Sequence, residues 1–266
     1  MRLTRYLAAG ALSVSLAACS TSPTGRPQLM LMSDAQLDQM GAQAFAQYQQ
    51  ELPTVGGAPL RYVQCVTQAV VRVLPERERN QNWQVEVFAS EQANAFALPG
   101  GYVGINTGLL RVAQNQDQLA AVIGHEIAHV LARHANERAS TQTATEFGLS
   151  AISSAAGMQG PAGDTMMAAL GMGAQYGILL PFSRSHESEA DILGLNLMAD
   201  AGFDPRASIA LWNNMSAAGG AQPPVWMSTH PSHGQRIDGL EAAMDEAMAR
   251  YERAHRAGRT PHCPRP

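Results

Sequence analysis

The sequence predicts an α+β fold, mostly helical, with a small sheet whose edge strand lines a cleft. Three observations predict it. Several long stretches repeat apolar residues three and four apart, the helical period. The run Trp83-Gln84-Val85-Glu86-Val87-Phe88 alternates as a half-buried strand does. Two further short runs, Asn94–Phe96 and Tyr102-Val103-Gly104-Ile105-Asn106, flank the turn signal Pro99-Gly100-Gly101 and read as edge-strand segments near the cleft.

In chain order, helices are expected near 33–50 and 60–74, then the 83–88 strand and the 94–106 edge region. A helix over 116–138 follows. It opens at Asn115-Gln116-Asp117-Gln118, an Asn N-cap with Gln three residues on. Leu119, Val122, Ile123, Ile127, Val130 and Leu131 then form its buried stripe, and Gly124 leaves room for another element to approach. Residues 139–182 are rich in Ala, Gly, Ser and Met, and Gly157-Met158-Gln159-Gly160-Pro161 separates two weak helices, read as a mobile hairpin or lid. Polar residues, Gly and Pro interrupt this interval well before 18 apolar residues accumulate, so no span is expected there. A helix over 185–201 comes next, then one opened by Asp204-Pro205, with Asp as N-cap and Pro at the first position. A last helix covers 233–256, and 257–266 is a polar tail.

The most informative residues are His125-Glu126-Ile127-Ala128-His129. Histidines four apart on a helix differ by about 40° of rotation, so both reach a single ion. Glu126 projects beside that ion, where it can accept a proton from water. Two histidines and a carboxylate on a buried stripe need a reason, because unpaired ionisable groups are costly in a core and metal ligands are not. A catalytic zinc site needs a third protein ligand. The candidate run is Phe182-Ser183-Arg184-Ser185-His186-Glu187-Ser188-Glu189-Ala190-Asp191, ahead of Ile192, Leu195, Leu197 and Met198. Glu187 and Asp191 share a helix face, while Glu189 is rotated by about 200° from Glu187. On spacing alone, Glu187, Glu189, Asp191 and His186 all compete for the third position.

Four blocks in order resemble the zinc metalloprotease family of HtpX and the CAAX prenyl endopeptidases, a gluzincin family, and within it the soluble periplasmic branch that includes BepA and LoiP. They are Asn94-Ala95-Phe96-Ala97-Leu98-Pro99-Gly100-Gly101, the His125–His129 motif, Ser183-Arg184 through Asp191, and Ser228-Thr229-His230-Pro231 with Arg236. The resemblance implies a zincin-like domain over 33–256 with one Zn2+ held by His125, His129 and Glu187. It implies that Asp191 orients a ligand histidine and that Glu126 activates the attacking water. It places His230 and Arg236 on the active-site wall, where a His or Arg donor stabilises charge on a scissile carbonyl oxygen. His230 is left as catalytic, autoinhibitory or both. Asn94, Ala95 and Phe96 are the expected substrate-binding run, receiving an extended peptide by strand addition. His134 and His233 read as structural or loop residues, His255 and His262 as solvated ones.

Residues 1–18 carry Arg2 and Arg5 and then an apolar stretch from Tyr6 to Ala18, as a secretory signal does. Leu16-Ala17-Ala18-Cys19 resembles the lipobox of bacterial lipoproteins, which implies cleavage before Cys19 and lipidation there. Ser20 after the cysteine implies the outer membrane, facing the periplasm. Residues 19–32, rich in Ser, Thr, Pro and Gly, read as a flexible tether. In that oxidising compartment the remaining cysteines, Cys65 and Cys263, are expected to pair. The 266-residue chain has a formal charge of −4. With no basic stripe or motif, nucleic-acid binding is not expected. The resemblance implies unfolded or misassembled envelope proteins as substrates and the outer-membrane assembly machinery as a partner.

Overall fold

The structure, a computed structural model, describes residues 19–157, 160–175, 179–218, 227, 230 and 235–266. The leader over residues 1–18 and its cleavage lie outside the described residues, as does His233. The chain forms two compact units: one of the residues up to Asp34 with Ala132–Ser185, the other of Ala35–Leu131 with His186–Pro266.

The first unit opens with β1 (Cys19–Thr21) and β2 (Pro27–Leu29), paired antiparallel. This segment was expected to be a flexible tether; its polar composition instead serves hydrogen bonds. Arg26 pairs with the buried Glu137 carboxylate, and Gln28 Nε2 donates to Glu137 Oε2 and to the Ala132 carbonyl, both at 2.7 Å. The Leu31 amide donates to Ser140 Oγ at 2.8 Å, and Asn136 Nδ2 to the Met32 carbonyl at 2.8 Å. A buried carboxylate is stable only when so satisfied. Helices α6 (His134–Ala156) and α7 (Gly160–Ala174) also belong to this unit. They end and begin around Gly157, whose positive φ of 60° closes α6. Phe147, Ile152, Met166 and Met172 are exposed on them.

In the second unit, α1 (Asp34–Glu51, all but its first residue), α2 (Gly57–Val71) and the short α3 (Glu76–Arg79) precede β3 (Gln84–Phe88). β4 (Ala95–Leu98), β5 (Tyr102–Asn106) and α4 (Thr107–Val112) come next. Then follow α5 (Gln116–Leu131), α8 (Leu180–Ala201, from His186 onward), α9 (Ala207–Ala218) and α10 (Gln235–Arg256). The sheet order is β3-β5-β4, with β3 and β5 parallel and β4 and β5 antiparallel. β4 is therefore an edge strand, as expected, whereas Tyr102–Asn106 is the central strand and not an edge. Gly100 and Gly101, at φ 88° and 87°, make the β4–β5 turn in a conformation that side chains resist.

α5 is the centre of this unit, packed against α2, β4 and α9. Every residue from Gln118 to Ala128 is buried. Ile123 and Ile127 are fully enclosed, each contributing about 1.5–3 kcal/mol by burial. Asn115 caps α5 as expected, its Oδ1 accepting from the Gln118 amide at 2.9 Å, while Gln118 Oε1 accepts from the Gln114 amide at 2.8 Å. The helix expected to run to 138 stops at Leu131, because Arg133 adopts the left-handed conformation at φ 56° and a new helix starts at His134.

The C-terminal residues expected as a polar tail are bound. Cys263 is disulfide-bonded to Cys65, with Cα atoms 5.7 Å apart. Its amide donates to Gln116 Oε1 at 2.8 Å, and Arg265 donates to the Gln114 and Leu110 carbonyls at 2.8 and 3.0 Å. His255, expected to be solvated, donates from Nε2 to the Gly202 carbonyl at 3.0 Å and packs on Tyr251, so it fastens α10 to the end of α8. Among the described residues, no helix is long and apolar enough to cross a membrane.

Candidate metal centre

Two helices bring the site together by touching without side chains. Where α5 and α8 cross, Gly124 faces Gly194. A Cβ on Gly194 would lie 2.7 Å from the His125 amide nitrogen, and one on Gly124 would lie 2.8 Å from the Gly194 carbonyl oxygen. Only glycine permits so close a backbone approach. It sets His125 and His129 of α5 against Glu187, two turns earlier on α8.

The donors then converge. His125, His129, Glu187 and His230 each offer a ligand atom within 4.8 Å of the others. His125 Nε2 is 3.1 Å from His129 Nε2 and 3.3 Å from Glu187 Oε2, and His129 Nε2 is 3.6 Å from Glu187 Oε1. His230 Nδ1 is 3.2 Å from His125 Nε2 and 3.0 Å from Glu187 Oε2. Four N and O ligands held tetrahedrally about zinc at its usual bond lengths lie about 3.3 Å apart, so these separations fit. Two histidine lone pairs and a carboxylate so close repel one another unless protons or a metal cation lie among them. Of the four competitors for the third position, Glu187 joins the cluster. His186 and Glu189 are buried but stand outside it, and Asp191 lies behind His125.

The local electrostatics suit metal binding. Burial by itself would raise the Glu187 carboxyl, but hydrogen bonds from His125, His129 and His230 hold it far below the ordinary carboxylate range. Burial pushes His129 well below the usual histidine value despite its hydrogen bond to Glu187, which leaves a neutral ring with a lone pair to give. Burial would lower His125 too, but Asp191 and Glu187 outweigh it and raise it to about 9; the same negative field favours a divalent cation. His125 Nδ1 lies 3.1 Å from Asp191 Oδ1, an arrangement that fixes the ring tautomer and turns Nε2 towards the centre. Asp191 is itself kept ionised against burial by His125 and Arg236.

Glu126, between the two histidines in sequence, is buried, its Oε1 3.5 Å from His230 Nε2. His230 thus spans the donor cluster and Glu126, and supplies a fourth protein donor where an open zinc site keeps a place for water. Arg236, expected on the active-site wall, bonds to the residues of the centre. It is buried, with Nε 2.6 Å from Asp191 Oδ2, Nη2 on the other Asp191 oxygen, and Nη1 3.5 Å from Glu187 Oε2 and 3.3 Å from the His230 carbonyl.

Of the expected substrate run, Ala95 is in the core beside α5, and Asn94 Oδ1 is buried without a hydrogen-bond partner among the described residues. Phe96 faces the other way, stacked on Tyr48 of α1 with ring centres 4.3 Å apart, so its ring anchors α1 to the sheet. Sequence reasoning missed two contributors. Gly194 is a glycine inside a helical pattern, a signal of close approach that was noted only for Gly124. Trp212 of α9 lies against Arg236, and nothing in its local sequence announces this.

The model of peptidase family M48 matches residues 58–244, more than half of the chain. The chain is 37% identical over 172 residues to the mitochondrial metalloendopeptidase OMA1 of Schizosaccharomyces pombe, covering 64% of this chain and 49% of that protein. It is 38% identical over 177 residues to the corresponding protein of Bos taurus, covering 63% and 33%. It is 31% identical over 197 residues to the beta-barrel assembly-enhancing protease of Yersinia pestis, covering 68% and 39%. The chain therefore spans about half or less of the length of these curated relatives. All four donors, Glu126, Asp191 and Arg236 lie inside the matched residues, and zinc, the metal this family uses, is the one the donor set fits. The match and the donor set agree: this chain belongs to peptidase family M48.

Proposed function

We propose that this chain is a zinc-dependent endopeptidase, tethered through a lipid on Cys19 to the outer membrane and facing the periplasm, that cleaves misfolded or stalled envelope proteins. The observation that carries the catalytic part is the convergence of His125, His129, Glu187 and His230, with the Glu126 carboxylate 3.5 Å from His230. Zinc, when bound there, supplies a Lewis acid that makes water nucleophilic near neutral pH and polarises a scissile carbonyl. His125, His129 and Glu187 hold it, with Asp191 fixing the His125 ring. Glu126 accepts a proton from the attacking water and passes it to the leaving amine. The substrate lies extended along the edge of β4, where unpaired backbone groups give sequence-tolerant affinity.

The envelope assignment draws support from the relative named a beta-barrel assembly-enhancing protease and from the lipobox-like Leu16-Ala17-Ala18-Cys19. One observation favours a second reading. His230 Nδ1 sits in the fourth donor position, so a form of the protein that binds clients with its site closed also fits. Expression of Glu126→Gln in cells that depend on the protein separates the two. Loss of function supports proteolysis, and full complementation supports the binding role.

A further inference from the structure

Arg236 holds two carboxylates of α8, Asp191 and Glu187, and what holds Arg236 lies on a different helix. A guanidinium donates only in its own plane, here towards Asp191, Glu187 and the His230 carbonyl. In-plane bonds of this kind guide a side chain well only if its tilt is also set. The guanidinium carbon Cζ of Arg236 lies over the ring of Trp212, 3.9 Å from its centre, and Trp212 is itself buried. Cation–π attraction and van der Waals contact both favour this stacking. The indole also walls a cavity of about 20 Å³ that reaches Asp191 and His125 and is otherwise lined by residues such as Leu195, Leu211 and Leu240. Without the ring, this space would widen, admit more water against the Asp191–Arg236 pair and weaken it by raising the local dielectric.

We propose that Trp212 is a positioning residue for the metal centre: its ring fixes the plane of Arg236, which clamps Asp191 and Glu187 and so slows the departure of zinc. This rests on the zinc reading of the site. The role acts through Arg236, on which the indole lies.

The test uses the chain without residues 1–18, in wild type, Trp212→Phe, Trp212→Leu, Arg236→Lys and the Arg236→Lys/Trp212→Leu double variant. Zinc release to excess chelator is timed, and thermal unfolding is measured on metal-free protein. Trp212→Leu keeps an apolar side chain without a ring face and is expected to release zinc about tenfold faster, the range for groups that orient ligands. Trp212→Phe keeps a face and is expected to stay within roughly threefold of wild type. In the Arg236→Lys background, where no planar cation remains, the Leu substitution is expected to add little. Equal release by the Phe and Leu variants, or an undiminished effect of Leu in the Lys background, overturns the proposal and assigns Trp212 to packing alone. Should Trp212→Leu fail to fold, Trp212→Met takes its place in the same cycle. Wild type that takes up no zinc overturns the metal reading itself, an outcome distinct from any difference between variants.

Discussion

Gly194 of α8 lies against the backbone of His125 of α5, so close that a Cβ on Gly194 would stand 2.7 Å from the His125 nitrogen and 2.8 Å from its Cα. Both neighbours are backbone, and neither can swing aside. Gly194→Ala is therefore expected to cost about 1–3 kcal/mol through overpacking and to weaken zinc binding by moving Glu187 off the histidine pair. Calorimetric unfolding and a zinc titration check this. Wild-type affinity in the variant would mean that the crossing does not set the site.

Asp191 accepts from His125 Nδ1 and is clamped by Arg236. Asp191→Asn keeps the shape and removes the charge. Zinc affinity, read by chelator competition, is expected to fall about 10–100-fold. An unchanged affinity would show that packing alone orients His125.

His230 occupies the fourth donor position and faces Glu126. If that arrangement holds the site closed, His230→Ala raises cleavage of an unfolded protein while loosening zinc. A fall in turnover with zinc retained would instead give His230 the assisting role at the carbonyl oxygen.

The Cys65–Cys263 bond closes a loop over a sequence separation of 198 residues and ties the C-terminal segment to α2. Replacing both cysteines with serine is expected to cost about 2–5 kcal/mol, lowering Tm by at least about 4 °C. Retention of Gln116 and Arg265 contacts predicts that zinc binding at 25 °C survives. A stability equal to wild type would mean that those contacts alone secure the segment.

The zinc helix was legible because metal chemistry restricts residue type and the helical period restricts spacing; His125, Glu126 and His129 satisfy both at once. Its start was legible through the Asn115 cap, a local signal. The third donor was less so. Glu187, Glu189, His186 and Asp191 are separated by helical phase alone, and which face meets α5 depends on the Gly124–Gly194 crossing, a contact between residues 70 positions apart. The end of the helix at Leu131 carried no signal, because Arg133 is not a residue type that marks a left-handed turn. Arg236 was legible as a site residue but its direction was not: its partners Asp191 and Trp212 are brought to it by two other helices. The polar run 19–32 looked like a tether because composition does not reveal that Glu137, more than 100 residues on, needs its donors.

The most direct test of the account is zinc content measured together with cleavage of an unfolded protein such as casein, on the chain without residues 1–18 and its Glu126→Gln variant. One zinc per chain is expected in both, with cleavage by wild type alone. Absence of zinc from both, or cleavage that survives in Glu126→Gln, would contradict it.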